Sequence, residues 1–183
     1  NTESALNNFC EYSMIDPAFL AACYGFTEDE VKMLAERHNA SMDNLKMWYD
    51  GYNIGREKSI YNPYSVMKAL QRGSCRSYWT TTGAYDSVIT YIQMNFDGLK
   101  DDIIRMLAGE RVYVNTSKFQ NDMNIVRSKN DVLTVLIHLG YLAYDDEKQQ
   151  CYVPNKEVTD ELLNAVEDTS WKRLADAITA SRN

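Results

Sequence analysis

Apolar residues recur along this chain at helical spacing, broken by polar and glycine-containing punctuation. In "TEDEVKMLAERHN", Thr27 stands three residues before Glu30, a capping box, and Val31, Leu34, Ala35 and His38 then share one helical face. A shorter helix is expected from Ser41, with Met42, Leu45, Trp48 and Tyr49 on one side. "NPYSVMKALQRG" reads as an Asn62 cap, Pro63 in the first helical position and Gly73 as the stop. "AYDSVITYIQMNF" places Tyr85, Val88, Ile89 and Ile92 at helical spacing. "DGLKDDIIRMLAGE" does the same with Leu99, Ile103 and Leu107, and Gly109 ends it. "RVYVN" predicts a short strand, "NDVLTVLIHLG" a helix apolar nearly all round and so buried. "YLAYDDEKQQCYVP" predicts a hairpin, two apolar strands around a polar turn. Helices over Asn155 to Val166 and from Ser170 follow, the last carrying Trp171, Leu174, Ala175 and Ile178.

Between the second and third helices lies "WYDGYNIGREKSIYNPYSV", with four tyrosines, a tryptophan and no helical period. Gly51 can take the left-handed conformation that closes the preceding helix. "YNIG" and "SIYN" flank the polar "REK", which predicts a small hairpin. The stretch then reads as a joint, with Trp48 and Tyr61 buried between helices. A polar pocket lined by Asp50, its neighbouring tyrosines and Arg56 is the competing reading.

Composition narrows the function classes. The 183 residues are 45% hydrophobic, 11% aromatic and 25% charged, enough for a buried core. No apolar run approaches the ~18 residues of a membrane span. The net charge of −7 disfavours a phosphate-tracking surface. Cys10, Cys23, Cys75 and Cys151 form no CxxC pair, and His38 and His138 are the two histidines, so no zinc site is expected. Reduced thiols in a cytoplasmic protein are expected, which leaves the sequons at Asn39 and Asn115 without meaning. The start "NTESALNNF" has no initiating Met and no charged-then-apolar leader, so a piece of a longer protein is expected.

Ordered motifs carry a family resemblance. "YGFTEDEV", "WYDGYNIG", "IYNPYSV", "YW" with the "TTTG" turn, "LGYLAYD" and "VPNKEV", preceded by "LNNFCEYSMID", together resemble the AAA-ATPase-like family of bacterial proteins over roughly Leu6 to Val166. The residues that match its motifs are Trp48, Tyr49, Asp50, Gly51, Tyr52, Tyr61, Asn62, Pro63 and Ser65. The resemblance implies that this region lies between an N-terminal P-loop ATPase core and a C-terminal PD-(D/E)XK nuclease-like domain, which would be its partners. It implies ATP and magnesium for the parent, and none for this fragment.

The chain itself contains no Gly-Lys dipeptide, so it has no phosphate-cradling P-loop. "DDEKQQ" puts charges in a turn rather than nuclease carboxylates on a strand. No catalytic residue and no metal ligand set is expected here. Arg56, Arg127 and His138 are the candidate nucleotide contacts, each weighed against a solvated or core role. Asp131 to Pro154 has the order of a recognition helix and wing. Its helix leaves almost no polar face to read bases, and its turn is acidic, so a winged-helix-like shape without DNA reading is expected.

The resulting expectation is a mainly α chain with two small β elements. Residues 1–110 form a helical lid-like region with the hairpin joint, 111–168 a winged-helix-like half, and 169–183 the start of a linker helix. Its function would be regulatory, coupling ATP binding in the core to the nuclease-like domain. The alternatives are a protein-interaction module using the tyrosine-rich joint and a nucleic-acid-binding accessory region. No membrane partner is expected.

Overall fold

The computed structural model describes residues 12–79, 90, 92, 96–117 and 126–167. The expected helix at "AYDSVITYIQMNF" falls almost wholly outside these residues, as do the "TTTG" turn, Cys10, the linker helix from Ser170 and the "LNNF" opening.

A 3-10 turn, Ala18–Cys23, precedes α1 (Glu28–Arg37) and α2 (Met42–Tyr49). The capping box at α1 is complete: Thr27 Oγ1 accepts from the Glu30 N–H at 3.4 Å, and Glu30 Oε2 accepts from the Thr27 N–H at 2.8 Å. Val31 and Ala35 are buried from this helix, Leu34 partly, while His38 at its end is exposed. The face is therefore narrower than its spacing suggested. Strands β1 (Tyr52–Ile54) and β2 (Glu57–Ile60) pair antiparallel around a turn at Gly55 and Arg56, with a register shift between Tyr52 and Ile54. Ser59 takes a φ of +57° there, a left-handed conformation costly outside glycine.

Helix α3 (Pro63–Arg72) begins as its sequence predicts. Asn62 Oδ1 accepts from the N–H groups of Tyr64 (3.0 Å) and Ser65 (3.3 Å), which supplies partners for two donors the helix cannot use. Gly73 closes it at φ +65°.

Beyond a 3-10 turn at Phe96–Gly98 come α4 (Leu99–Leu107), β3 (Val112–Tyr113), α5 (Lys129–His138), β4 (Ala143–Asp145), β5 (Gln150–Tyr152) and α6 (Lys156–Glu167). The second sheet is antiparallel in the order β3-β5-β4. Six consecutive residues of α5, Val132 to Ile137, are buried. The architecture is thus mainly helical with two small sheets.

The largest core joins α4, α5, the second sheet and α6, through Leu99, Ile103, Leu133, Leu136 and Leu162. A second core gathers Val31, Leu45, Tyr49, Tyr61, Val66 and Tyr78 between α1, α2 and α3. A third, small cluster of Ala21, Tyr52, Ile54, Ile60 and Ala143 sets the first hairpin against β4. Burial of this kind is worth roughly 25 cal/mol per Å² of apolar surface, so the hairpin is held by what it covers on both sides. Among the described residues, no helix is long and apolar enough to cross a membrane.

Candidate functional site

Four motifs scattered from Trp48 to Val158 meet at one place. Asp50 follows α2 as its C-terminal cap and its backbone carbonyl accepts from Asn155 Nδ2 at 2.8 Å. The same Asn155 caps α6, its Oδ1 accepting from the Val158 N–H at 3.1 Å. Tyr152 Oη donates to the Gly51 carbonyl at 3.0 Å and accepts from Asn53 Nδ2 at 2.8 Å. Tyr52 Oη donates to the Gly140 carbonyl at 2.6 Å. Ser65 Oγ donates to Glu157 Oε1 at 2.9 Å.

Gly51 allows this approach. Its φ is +111°, and a Cβ built there would stand 2.1 Å from the Pro154 carbonyl oxygen. Any side chain would push the hairpin off the segment that starts α6.

The tyrosines are structural members of the joint. Tyr61 is 0% exposed, and its N–H and carbonyl bridge to Phe26 at 2.8 and 3.1 Å. Burial, then the Asp50 and Glu28 charges, push its phenol upward. Tyr49 Oη donates to the Arg76 carbonyl and accepts from the Arg76 N–H, both at 3.0 Å, tying α2 to the chain after α3. Burial, joined by the charge of Glu157, also raises Tyr52. Trp48 is largely but not fully buried: it packs against the second core, with Lys156 Nζ 5.0 Å above its ring. It lies at the edge where α2 meets α6.

Asp50 is buried at the carboxyl end of a helix, where the dipole disfavours negative charge. Burial raises its pKa, while the Gly51 N–H and the Ser59 hydroxyl stabilise the ionised form.

Beside the joint lies a cleft of about 240 Å³ lined by Tyr24, Tyr52, Tyr61, Asn62, Trp79 and His138, among others. His138 thus shares a wall with the motif residues. Arg56 lies elsewhere, exposed at the hairpin turn, in a groove shared with Lys58, Asp145, Asp146 and Glu147. Arg127 lines neither; it is exposed before α5, and its N–H donates to Asp131 Oδ2 at 3.0 Å. The three candidate contacts therefore do not converge. Among the described residues, no group of three His, Cys, Asp or Glu side chains could hold a metal ion.

No protein-family model matches the chain, and no solved structure does. A curated relative matches part of it. An "uncharacterized protein in vnfD 5' region" of Azotobacter chroococcum mcd 1 is 35% identical over 82 residues, 44% of this chain and 15% of that protein. The chain therefore spans well under two thirds of the length of the relative it matches.

Sequence reading picked out Trp48 to Ser65 but missed the partners that give these residues their place. Glu161, Ser77 and Tyr152 carry no local signature, and Gly140 sat inside the quoted motif "LGYLAYD" without an assigned role. Asn155 and Glu157 sat inside a quoted motif, "VPNKEV", without an assigned role. Their joint signal was a Glu at the second position after a capping Asn and another four residues on, both beside a face set by Val158 and Leu162.

Proposed function

We propose that this chain is the regulatory, lid-side region of a longer AAA-type ATPase. It would pass nucleotide-driven movement of a P-loop core to a downstream nuclease-like domain. One observation carries the reading: the motifs that resemble that family are hydrogen-bonded to one another, so that residues 48–65 clamp the turn after α5, the end of β5 and the start of α6. A region built to transmit movement needs such a stiff link between its two ends. The order β3-β5-β4, with α4 before the sheet and α5 between its first two strands, supports a winged-helix-like second half. Its α5 buries the face that would read bases.

The interaction-module alternative needs exposed aromatics at the joint. Tyr52 and Tyr61 are buried, and Tyr64 alone of the three is open, at 46% exposure. The nucleic-acid alternative needs a continuous basic stripe. Lys68 and Arg72 lie over the rings of Tyr64 and Tyr78, whereas Arg56 and Lys58 face the acidic turn.

The test is calorimetric titration of ATP with magnesium into this chain and into the whole protein encoded by its gene. Binding by the whole protein alone is the expected result. Binding by the fragment, or by neither, overturns the proposal.

A further inference from the structure

Glu157 and Glu161 stand one turn apart on α6, each only 1% exposed. Each carboxyl has one oxygen held by neutral donors. Glu157 Oε1 accepts from Ser65 Oγ and from the Tyr78 N–H, both at 2.9 Å, and Glu161 Oε1 accepts from Ser77 Oγ. The second oxygen of each is buried with no hydrogen-bond partner. Among the described residues, neither acid forms an ion pair with a Lys or Arg.

Among the described residues, the groups around them offer no compensating positive charge. Tyr49 from α2 and Tyr52 from β1 both feel the charge of Glu157, and Asp160 adds its own charge to Glu161. Lys156 is engaged with Asp160 at 3.5 Å and with the Trp48 ring. Arg72 and Arg76 lie over the ring of Tyr78, 5.8 and 5.3 Å from its centre. On α4, which packs against α6, Asp102 is paired with Lys129 and Arg105. Two ionised carboxylates in such a place would be strongly disfavoured, because burial costs the charged form and each opposes the other.

We propose that Glu157 and Glu161 form a proton-holding latch: at least one keeps its proton while α6 is clamped to Ser65, Ser77 and Tyr78, and releasing it to water loosens the clamp. The pair titrates as a unit, one O–H bond breaking and one carboxylate remaining. Burial pushes Glu157 up to about 7, against the bonds from Tyr78 and Ser65, and the Glu161 charge adds to it. Burial likewise raises Glu161. The folded state then binds more protons than the unfolded chain from the ordinary carboxylate range up to neutrality. Stability therefore falls as pH rises across that window. The latch is a property of this chain and does not rest on the proposed ATPase reading.

The experiment is a set of thermal melts between pH 5 and pH 8 on the chain, Glu157→Gln and Glu161→Gln. Glutamine keeps an acceptor for the Ser65 and Tyr78 donors but cannot ionise. The melting midpoint of the native chain is expected to fall by several degrees relative to Glu157→Gln as pH rises from 5 to about 7 and to level off above it, with faster amide exchange in α6 than in the variant at the same pH. Equal slopes in the native chain and both variants overturn the latch. So does a midpoint at pH 8 restored by calcium or magnesium and lost with chelator, which would put a cation on the free oxygens. Carbon-13 titration of the glutamate carboxyls reads the native chain directly, even if a variant fails to fold. At least one must titrate well above the ordinary carboxylate range; both titrating within it would end the proposal.

Discussion

Asn62 shows how one side chain can fix a boundary. Its Oδ1 serves two N–H groups at the start of α3, while Pro63 needs no donor partner at all. Asn62→Ala is expected to lower stability by about 1 kcal/mol, the usual loss of an N-cap, in a urea melt. Trp48 is a different case. A fully buried tryptophan would cost about 3–5 kcal/mol on truncation. With its ring partly outside and one face under Lys156, Trp48→Ala should cost about 1–2 kcal/mol instead, a discounted share of that range. A measured loss above that range would mean the ring is more central than its burial indicates. Tyr49→Phe removes a hydroxyl that serves both backbone groups of Arg76, and about 1–3 kcal/mol should be lost with it. A midpoint unchanged from the native chain would show that those groups find other partners.

At the scale of elements, the local signals were clear where chemistry is local. The capping box of α1, the Asn-Pro start and Gly stop of α3, and the all-apolar α5 are written in neighbouring residues. The two hairpins likewise follow from apolar runs around polar turns. What sequence could not give was the pairing between distant elements. Nothing local says that Ser65 must meet a glutamate 92 positions later, or that Tyr52 must reach the Gly140 carbonyl. Likewise, β3 was expected as a short strand with no partner named, and it closes a three-stranded sheet by pairing with β5 rather than β4. The 3-10 turn at Ala18–Cys23 also escaped notice, because its six residues carry neither a capping side chain nor a helical period. Of the candidate contacts, His138 alone lines the cleft beside the joint, whereas Arg56 sits at the hairpin's exposed tip.

For the whole molecule, net charge and missing motifs set the expectations. With a charge of −7 and no basic stripe continuous across α3 and the hairpin, the chain should not retard duplex DNA at physiological salt. A shift that weakens steeply as salt is raised would reverse that view. The larger claim is that residues 48–65 are the joint holding the α1–α3 helices to the α6 end of the chain. Its most direct measurement is a denaturant melt of Gly51→Ala beside the native chain. Alanine at φ +111° is strained, and its Cβ would fall 2.1 Å from the Pro154 carbonyl oxygen. Strain and forced separation together should remove about 3–5 kcal/mol, with amide protection lost first where α6 meets the hairpin. An unchanged midpoint and unchanged protection in α6 would contradict the joint.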